Sequence, residues 1–313
     1  MTSRLSTDPS RMACQWLAIV VLAMTPAWGH GDIDSRIEKV SRELEQRPED
    51  AELHLQRGWL HHLHADWTAS LSDYDRAEQL APAWAEVTLR RAKTLLAASR
   101  LPEARLEIDR HLAREPRSVD GRVTRAQIEV RMNEPLAAAA DYSQAREASG
   151  RLDPDRYVEW ARALAAPGVG RADEAIRVLD HAMAQLGPVP SLGLLALELE
   201  VGQRQFDQAL VRIELLSRGA TRRETWLERR GDVLQAAGRT EEARRAYSDA
   251  QDQLNRLPPR IRRRGPMLAL ATRLQGKRTL SPAAAGSRET VGAFPGSTQI
   301  PLPNGESSAL IPR

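Results

Sequence analysis

Cysteine is nearly absent from this chain of 313 residues, which contains a single one, Cys14. No disulfide can therefore stabilise the fold from within, and packing alone must hold it together. Catalytic motifs are missing as well, since the sequence has no G-x-S-x-G, no H-E-x-x-H and no glycine-rich phosphate-binding loop. From these absences we predict a protein that is not an enzyme and that needs no cofactor.

Lysine is also scarce, because Lys39, Lys93 and Lys277 are the only three. Arginine supplies the rest of the 45 basic residues, and with 42 acidic residues the formal net charge is +3. A balance this close to neutral creates no general attraction for nucleic acid, and abundant Arg and Ala are typical of a GC-rich coding sequence. We predict no nucleic-acid partner.

Long apolar runs are missing apart from one short stretch, Trp16 to Met24. Arg4 and Arg11 precede it and small residues follow it up to Gly29, which is the order of a secretory signal peptide. The stretch is shorter than the roughly 20 residues of a spanning helix. We therefore predict cleavage near Gly29, a periplasmic or secreted location, and no transmembrane segment in the mature chain.

What the sequence does contain is a ladder of small residues. Members of the ladder stand 34 residues apart, with one slip of three residues, and a tyrosine or branched residue follows each of them after four positions. Because residues four apart share a helix face, the pattern predicts six similar helices. The pairs are Ser70 with Tyr74, Ala104 with Ile108, Ala138 with Tyr142, Ala175 with Leu179, Ala209 with Ile213, and Ala243 with Tyr247.

The period and its residues resemble the tetratricopeptide repeat, a 34-residue helix-turn-helix unit. The best copy matches the signature of that family at Leu227, Gly231, Leu234, Ala243, Tyr247 and Ala250, with Gly238 in its turn. Pro48, Pro82 and Pro116 also stand 34 apart, where helices must end. The resemblance implies an all-α, right-handed superhelical solenoid of about six helix-turn-helix repeats, with a leading helix and a C-terminal capping helix.

We divide the chain accordingly into a signal peptide (1–29), a leading helix (30–50), the repeat array (51–252), a capping helix region (253–279) and a disordered tail (280–313). The three extra residues of the fourth repeat fall in two turn-rich stretches, 150–153 and 167–170, which predicts a longer turn there. The capping region contains an arginine cluster at 260–264. A solvated end of the solenoid is the simpler interpretation of that cluster, and docking on an anionic lipid or polymer is the alternative.

Members of the family bind protein segments in a concave groove lined by the first helices, so the resemblance implies an interaction scaffold for another protein of unknown identity. Trp59 and Leu55 are the expected anchors, because aromatic residues dominate such interfaces. Carried over repeat by repeat, the groove residues are Glu52, Leu55, Trp59, His62, Glu86, Leu89, Lys93, Leu96, Asp120, Val123, Gln127, Val130, Thr225, Glu228, Asp232 and Gln235.

A second interpretation comes from the histidines, of which five of the seven lie between His30 and His64. Exported proteins use such residues to hold copper or zinc, and a metal-handling protein using His30 and residues 61–64 is the alternative function. One argument against the metal-handling interpretation is that His54 and His61 occupy positions of the repeat signature whose side chains point into the helix pair. His62 and His64 project onto different faces. We assign no metal ligands.

Overall fold

The computed structural model describes residues 30–278, and within them the chain forms fifteen helices and no strand. The predicted signal peptide and the predicted tail lie outside the described residues. The helices are α1 (His30–Gln46), α2 (Ala51–Leu63), α3 (Trp67–Leu80), α4 (Ala85–Ala97), α5 (Leu101–Arg114), α6 (Val119–Arg131), α7 (Pro135–Ser149), α8 (Pro154–Leu164), α9 (Ala172–Leu186), α10 (Pro190–Gly202), α11 (Phe206–Ser217), α12 (Glu224–Ala236), α13 (Thr240–Arg256), α14 (Pro259–Arg262) and α15 (Gly265–Arg278).

The prediction of an all-α repeat fold is confirmed. Each of the six predicted repeats supplies a first helix and a second helix, from α2 and α3 through to α12 and α13. The described residues divide into two compact units, 30–87 and 88–278, with the boundary inside α4. None of the described helices has the length and apolar character needed to cross a bilayer.

In the first unit α1 packs on α2, and α2 packs on α3. Val40 and Leu44 of α1 form an apolar cluster with Leu53 and Leu60 of α2. Residues on the other side of α1, among them Arg42, are exposed. A polar outer face is what the terminal helix of a repeat array requires, because no neighbour covers it.

In the second unit the closest helix pairs are α6 with α7 and α12 with α13. Gly231 of α12 lies against the ring of Tyr247, with no room for a Cβ atom between them. The same contact joins Gly58 to Tyr74 in the first unit, where an added Cβ would stand 2.6 Å from the ring. The small residue of the first helix therefore makes room for the aromatic residue of the second, as the sequence pattern predicts.

Helix ends follow the repeat as well. The helices α1, α3 and α5 each end two residues before Pro48, Pro82 or Pro116. The turns between the two helices of a repeat place one residue in the left-handed region, at Ala65, Ser99, Asn133, Arg204 and Gly238. Only the last of these is glycine, the residue that adopts a positive φ without steric cost.

The fourth repeat has the longer turn that its extra residues predict. Helix α8 ends at Leu164 and α9 begins at Ala172, whereas only three residues separate α6 from α7. Two glycines of this turn, Gly168 and Gly170, have positive φ values of 82° and 70°. The insertion is thus absorbed in backbone conformations that glycine tolerates.

The C-terminal end of the array is covered by α15, which packs on α13. Met267, Leu270 and Leu274 of α15 are buried in one cluster with Tyr247 and Leu254 of α13. Leu257 and Ile261 pack against the same cluster and hold the short helix α14 in place. Apolar contacts therefore attach the whole segment from 257 to 274 to the last repeat.

Candidate interaction surface

The first helices carry the residues that the resemblance assigns to a groove, and most of them are at least partly exposed. The exposed or half-exposed members are Glu52, Trp59, His62, Glu86, Lys93, Leu96, Asp120, Gln127, Val130, Thr225, Asp232 and Gln235. Their role in contacting a partner stays a prediction.

Three apolar members of the predicted set are not available to a partner, and this corrects the sequence interpretation. Leu55, Leu89 and Val123 are buried, with 6%, 5% and 8% of their surface exposed. Leu55 packs with Tyr74 and Ala77 of α3. The buried apolar stripe of a first helix is therefore wider than the signature positions of the repeat alone indicate. A residue next to a signature position can still lie inside this stripe.

Polar residues of adjacent first helices contact one another on this surface. Lys93 Nζ of α4 lies 3.0 Å from Asp120 Oδ2 of α6. Gln127 Nε2 of α6 lies 3.3 Å from Glu159 Oε2 of α8, and that same oxygen accepts a hydrogen bond of 2.7 Å from Tyr142. Predicted groove residues of successive repeats are thus brought together in the second unit.

In the first unit the surface carries an aromatic cluster made of Trp59, His62 and Trp67. The rings of Trp59 and His62 stack with centroids 4.4 Å apart and planes 9° apart. The ring of Trp67, at the start of α3, tilts by 60° against His62 at 5.4 Å. All three side chains are half-buried. Trp67 was not among the predicted residues, because it follows the turn and belongs to a second helix.

In the last repeat the predicted surface is covered by the chain itself, which is a second correction. Glu228 is buried and receives two hydrogen bonds from Arg273 of α15, of 2.8 and 2.9 Å. Lys277 Nζ lies 3.0 Å from Glu228 Oε1 and 2.6 Å from Asp232 Oδ1. Tyr247 donates a further hydrogen bond to Asp232. A partner cannot reach Glu228 while α15 is in place.

The surroundings of Glu228 and Asp232 shift the pKa values of these two acids in opposite directions. Burial alone would raise the pKa of Glu228, but the hydrogen bonds from Arg273 and Lys277 outweigh it, and its pKa lies below the ordinary value. For Asp232 burial outweighs the contacts with Lys277 and Tyr247, so its pKa is raised. The contacts with α15 therefore favour the charged form of Glu228.

A second set of residues escaped the sequence interpretation, although it has the same 34-residue spacing. In the first three repeats an arginine of the first helix binds an acid sixteen residues later in the second helix. Arg57 makes two hydrogen bonds to Asp73 of 2.9 and 2.7 Å, and Arg125 makes two to Asp141 of 2.5 and 2.7 Å. We call these the interhelical ion pairs: Arg57 with Asp73, Arg91 with Glu107, and Arg125 with Asp141.

Two of these acids, Asp73 and Asp141, also bind a further polar residue of the first helix. His54 and Arg122 occupy equivalent positions in the first and third repeats, and each also contacts the carbonyl of the proline that precedes its helix. His54 Nδ1 lies 3.2 Å from Asp73, and His54 Nε2 lies 3.0 Å from the carbonyl oxygen of Pro48. Arg122 Nη1 lies 3.4 Å from Asp141, and Arg122 Nη2 lies 2.7 Å from the carbonyl oxygen of Pro116. His54 is therefore a packing residue inside the helix pair.

Glu129 is an additional acid in this network, and its environment favours the protonated form. The residue is 2% exposed, and its Oε2 atom has no hydrogen-bond partner. Burial and the nearby charge of Asp141 raise the pKa of Glu129 to about 7, against the opposing effect of Arg105 and Arg125. The carboxyl group therefore changes charge near neutral pH.

The histidines at 61, 62 and 64 contact three different residues, and His54 shares Asp73 with His61. His61 Nε2 lies 4.0 Å from Asp73, His62 stacks on Trp59, and His64 Nε2 lies 3.3 Å from Asp34. In residues 30–278 no three His, Cys, Asp or Glu side chains are arranged to hold one ion. The side chain of His30 lies outside the described ones.

Comparison with known proteins gives one family match. Residues 170–262 match the model of a tetratricopeptide repeat-like domain. No curated protein matches the chain.

Solved structures of tetratricopeptide repeat proteins are similar at low sequence identity. A repeat protein from Parabacteroides merdae is 14% identical with a TM-score of 0.49, over 79% of this chain and 93% of its own. A protein of Thermus thermophilus, TTC0263, is 20% identical with a TM-score of 0.40, over 59% and 100%. YrrB, described as having an unusual peptide-binding site, is 14% identical with a TM-score of 0.39, over 77% and 99%.

The likeness to this family therefore depends on the family model and on the geometry of this chain. The model matches residues 170–262. The contact between a small residue and an aromatic residue is present both at Gly58 with Tyr74 and at Gly231 with Tyr247. On these two findings residues 170–262 are similar to a tetratricopeptide repeat-like domain, and the first repeat shares the helix contact of the last.

Proposed function

We propose that this protein is a non-catalytic interaction scaffold of the cell envelope, and that it binds a segment of another protein on the first helices of its repeats. The observation that carries the proposal is the aromatic cluster of Trp59, His62 and Trp67. The rings of Trp59 and His62 stack, the ring of Trp67 tilts against His62, and all three are half-buried. Large aromatic side chains are the usual anchors of protein interfaces.

The polar contacts between adjacent first helices support the same proposal. The pair Lys93 and Asp120 and the pair Gln127 and Glu159 tie neighbouring helices together in the second unit. Val130, close to Gln127 in α6, is 43% exposed. A surface that is ordered before binding loses less conformational entropy when a partner binds.

The proposed location follows from residues 1–29 alone, whose order of basic, apolar and small residues is that of an export signal. The test is the intact mass of the protein recovered from a Gram-negative periplasm. The expected mass is that of a chain starting near His30. Recovery of the uncleaved chain from the cytoplasm would remove the envelope from the proposal and leave the scaffold function standing.

The scaffold function is tested by substitution in the aromatic cluster. A photo-reactive phenylalanine at position 59 identifies the partner, and binding of the purified partner is then measured for Trp59→Ala. We expect a loss of more than about 1 kcal/mol in binding free energy, with helical circular dichroism retained. The control is Trp226→Ala, which removes a half-buried tryptophan that packs against Arg229 in the last repeat.

Two outcomes would contradict the proposal. If Trp59→Ala folds normally and binds the partner with unchanged affinity, the binding surface has been assigned to the wrong residues. A loss of about 3 to 5 kcal/mol in folding free energy, typical of a core tryptophan, means that Trp59 is structural. Metal handling is not proposed, because in residues 30–278 no three His, Cys, Asp or Glu side chains are arranged to hold one ion.

A further inference from the structure

Five arginines stand in the nine residues from 256 to 264, and we call them the arginine patch. They are Arg256, Arg260, Arg262, Arg263 and Arg264, all exposed. Elsewhere in the described chain many arginines bind carboxylates, as in the interhelical ion pairs. No described carboxylate lies within 4.0 Å of any member of the patch, and Arg262 instead donates to the carbonyl of Asn255. The patch therefore presents uncompensated positive charge.

The sequence around the patch contains no acid that compensates it. Asp252 is the last acidic residue before it, and the next, Glu289, comes 37 positions later. The nearest cations of α15, Arg273 and Lys277, turn inward and bind Glu228. The positive charge of the patch is thus segregated from the acids of the molecule.

The position of the patch is fixed by the fold. Leu257 and Ile261 pack against the apolar cluster of the last repeat, so the arginines on either side of them and between them belong to an anchored segment. Arg264 directly precedes α15, and its carbonyl accepts the backbone N–H of Leu268. Cations near a helix N-terminus oppose the helix dipole, so this arrangement costs stability instead of adding to it. An anion bound at the patch would reverse that effect.

The outward side of α15 differs from that of an ordinary terminal helix. The exposed residues there carry no charge, and they are Pro266, Leu268, Ala269, Thr272 and Gln275. Leu268 is 53% exposed and lies one helical turn after Arg264. Terminal helices of repeat arrays usually expose a polar, solvating face. Here an uncharged face with an exposed leucine adjoins a cationic rim.

We infer that the arginine patch and the outward side of α15 dock on the surface of a membrane that contains anionic phospholipid. Guanidinium groups bind phosphate oxygens with two parallel hydrogen bonds. Clusters of four to eight basic residues beside an apolar helix face bind anionic headgroups, at about 1 kcal/mol for each basic residue. Leu268 enters the headgroup region, whereas an acidic polymer in solution would use the arginines alone.

The inference is tested by binding of the full chain to vesicles. One set contains phosphatidylglycerol and phosphatidylcholine, and the other contains phosphatidylcholine alone. We expect much stronger binding to the anionic set, with a decrease as salt is added. Replacing Arg260, Arg262, Arg263 and Arg264 together by Gln lowers the partition coefficient by about tenfold or more. Leu268→Ser lowers it by about threefold at every salt concentration.

The matched control replaces four exposed arginines elsewhere by Gln, at Arg42, Arg114, Arg117 and Arg177. It makes the same change in net charge and is expected to alter partition by less than about twofold. Every variant keeps the apolar N-terminal segment, so its contribution cancels in the ratios. Trp59→Ala binds vesicles like the unchanged protein, which separates this inference from the scaffold function.

Three results would overturn the inference. One is the absence of any preference for the anionic vesicles. Another is an equal loss in the patch variant and in the control, which would reduce the effect to net charge. The third is tight binding to soluble polyglutamate with no effect of Leu268→Ser, which would assign the patch to an acidic protein partner.

Discussion

The first three repeats and the last repeat are built on the same contact between a small residue and a larger one, yet they fill the rest of the helix pair differently. In the first three, an arginine and an acid occupy the interface, as Arg125 and Asp141 do. In the last, Ala246 stands where Asp141 stands in the third repeat, and apolar residues of α15 complete the cluster. The repeat thus needs its small residue and tolerates either a polar or an apolar neighbour.

The difference has a physical meaning for each region. A buried ion pair contributes little net stability over apolar packing, but removing one partner leaves a buried charge uncompensated. The first three repeats should therefore be sensitive to the loss of single charges. The last repeat should be sensitive to volume instead.

The largest effect is expected from Asp141→Ala. The substitution leaves Arg125 and Arg122 without their shared acid, and we expect it to lower the free energy of unfolding by about 3 to 5 kcal/mol in denaturant titrations. The double variant Arg125→Met with Asp141→Leu should recover most of that loss. If the double variant is no more stable than Asp141→Ala, the ion pair matters for more than its charge balance.

The next effect concerns volume in the last repeat. Ala243 is fully buried, so Ala243→Arg should overpack the helix pair and cost about 1 to 3 kcal/mol. Gln235→Arg, at a half-exposed position of α12, is the control and should leave the melting temperature nearly unchanged. Equal melting temperatures for the two variants would contradict the register of the last repeat.

A third effect depends on pH and belongs to the third repeat. The pKa of Glu129 is about 7 in the folded protein and near 4.3 in an unfolded chain. Because the folded value is raised, the protonated group stabilises the fold fully below about pH 4, and this contribution is lost as pH rises through about 7. The free energy of unfolding of the unchanged protein should therefore fall between pH 5 and pH 8. We expect this fall to be smaller in Glu129→Gln by about 1 to 2 kcal/mol.

The measurement is a pair of denaturant titrations at each pH, and the last repeat supplies the comparison. Glu228 has a lowered pKa, so its contribution is present above its unfolded value and disappears as pH falls through the folded one. Glu228→Gln should therefore lower the free energy of unfolding at neutral pH, and the difference from the unchanged protein should disappear as the pH falls into the acid range. Identical pH profiles for Glu129→Gln and the unchanged protein would exclude the assigned role.

The smallest effect concerns the turns. Arg204 and Gly238 occupy equivalent positions with φ values of 60° and 76°. Arg204→Gly should relieve the left-handed strain and stabilise the fold by about 0.5 to 1 kcal/mol, while Gly238→Ala should destabilise it by about 1 kcal/mol. Opposite signs in thermal unfolding are the expected result. The same sign for both would show that neighbouring contacts, and not the backbone, decide the turn.

Much of the fold could be predicted because it depends on contacts between residues close in the sequence. Small residues, aromatic residues and prolines at a fixed spacing are enough to predict the helix pairs and the turn that contains Gly238. The longer turn of the fourth repeat is predictable for the same reason, since extra residues collect where turn formers are. Local geometry and helix periodicity determine these features.

The candidate surface was predicted less well. Leu55 was expected to face a partner and is buried, because the width of an apolar stripe depends on how the neighbouring helix approaches. The interhelical ion pairs were visible as a 34-residue spacing of Arg57, Arg91 and Arg125. The spacing did not show that these arginines form ion pairs, because a contact between residues sixteen positions apart depends on the angle between two helices.

By itself the sequence determined the helical class, the number of repeats and the contact between small and aromatic residues, because these follow from the spacing of side chains along a helix. Only the tertiary structure decided that Glu228 is covered by Arg273, which lies 45 residues later. It also decided that, among residues 30–278, no carboxylate lies beside the arginine patch. Charges that are distant in the chain are paired or left unpaired by packing alone, and no local pattern encodes that outcome.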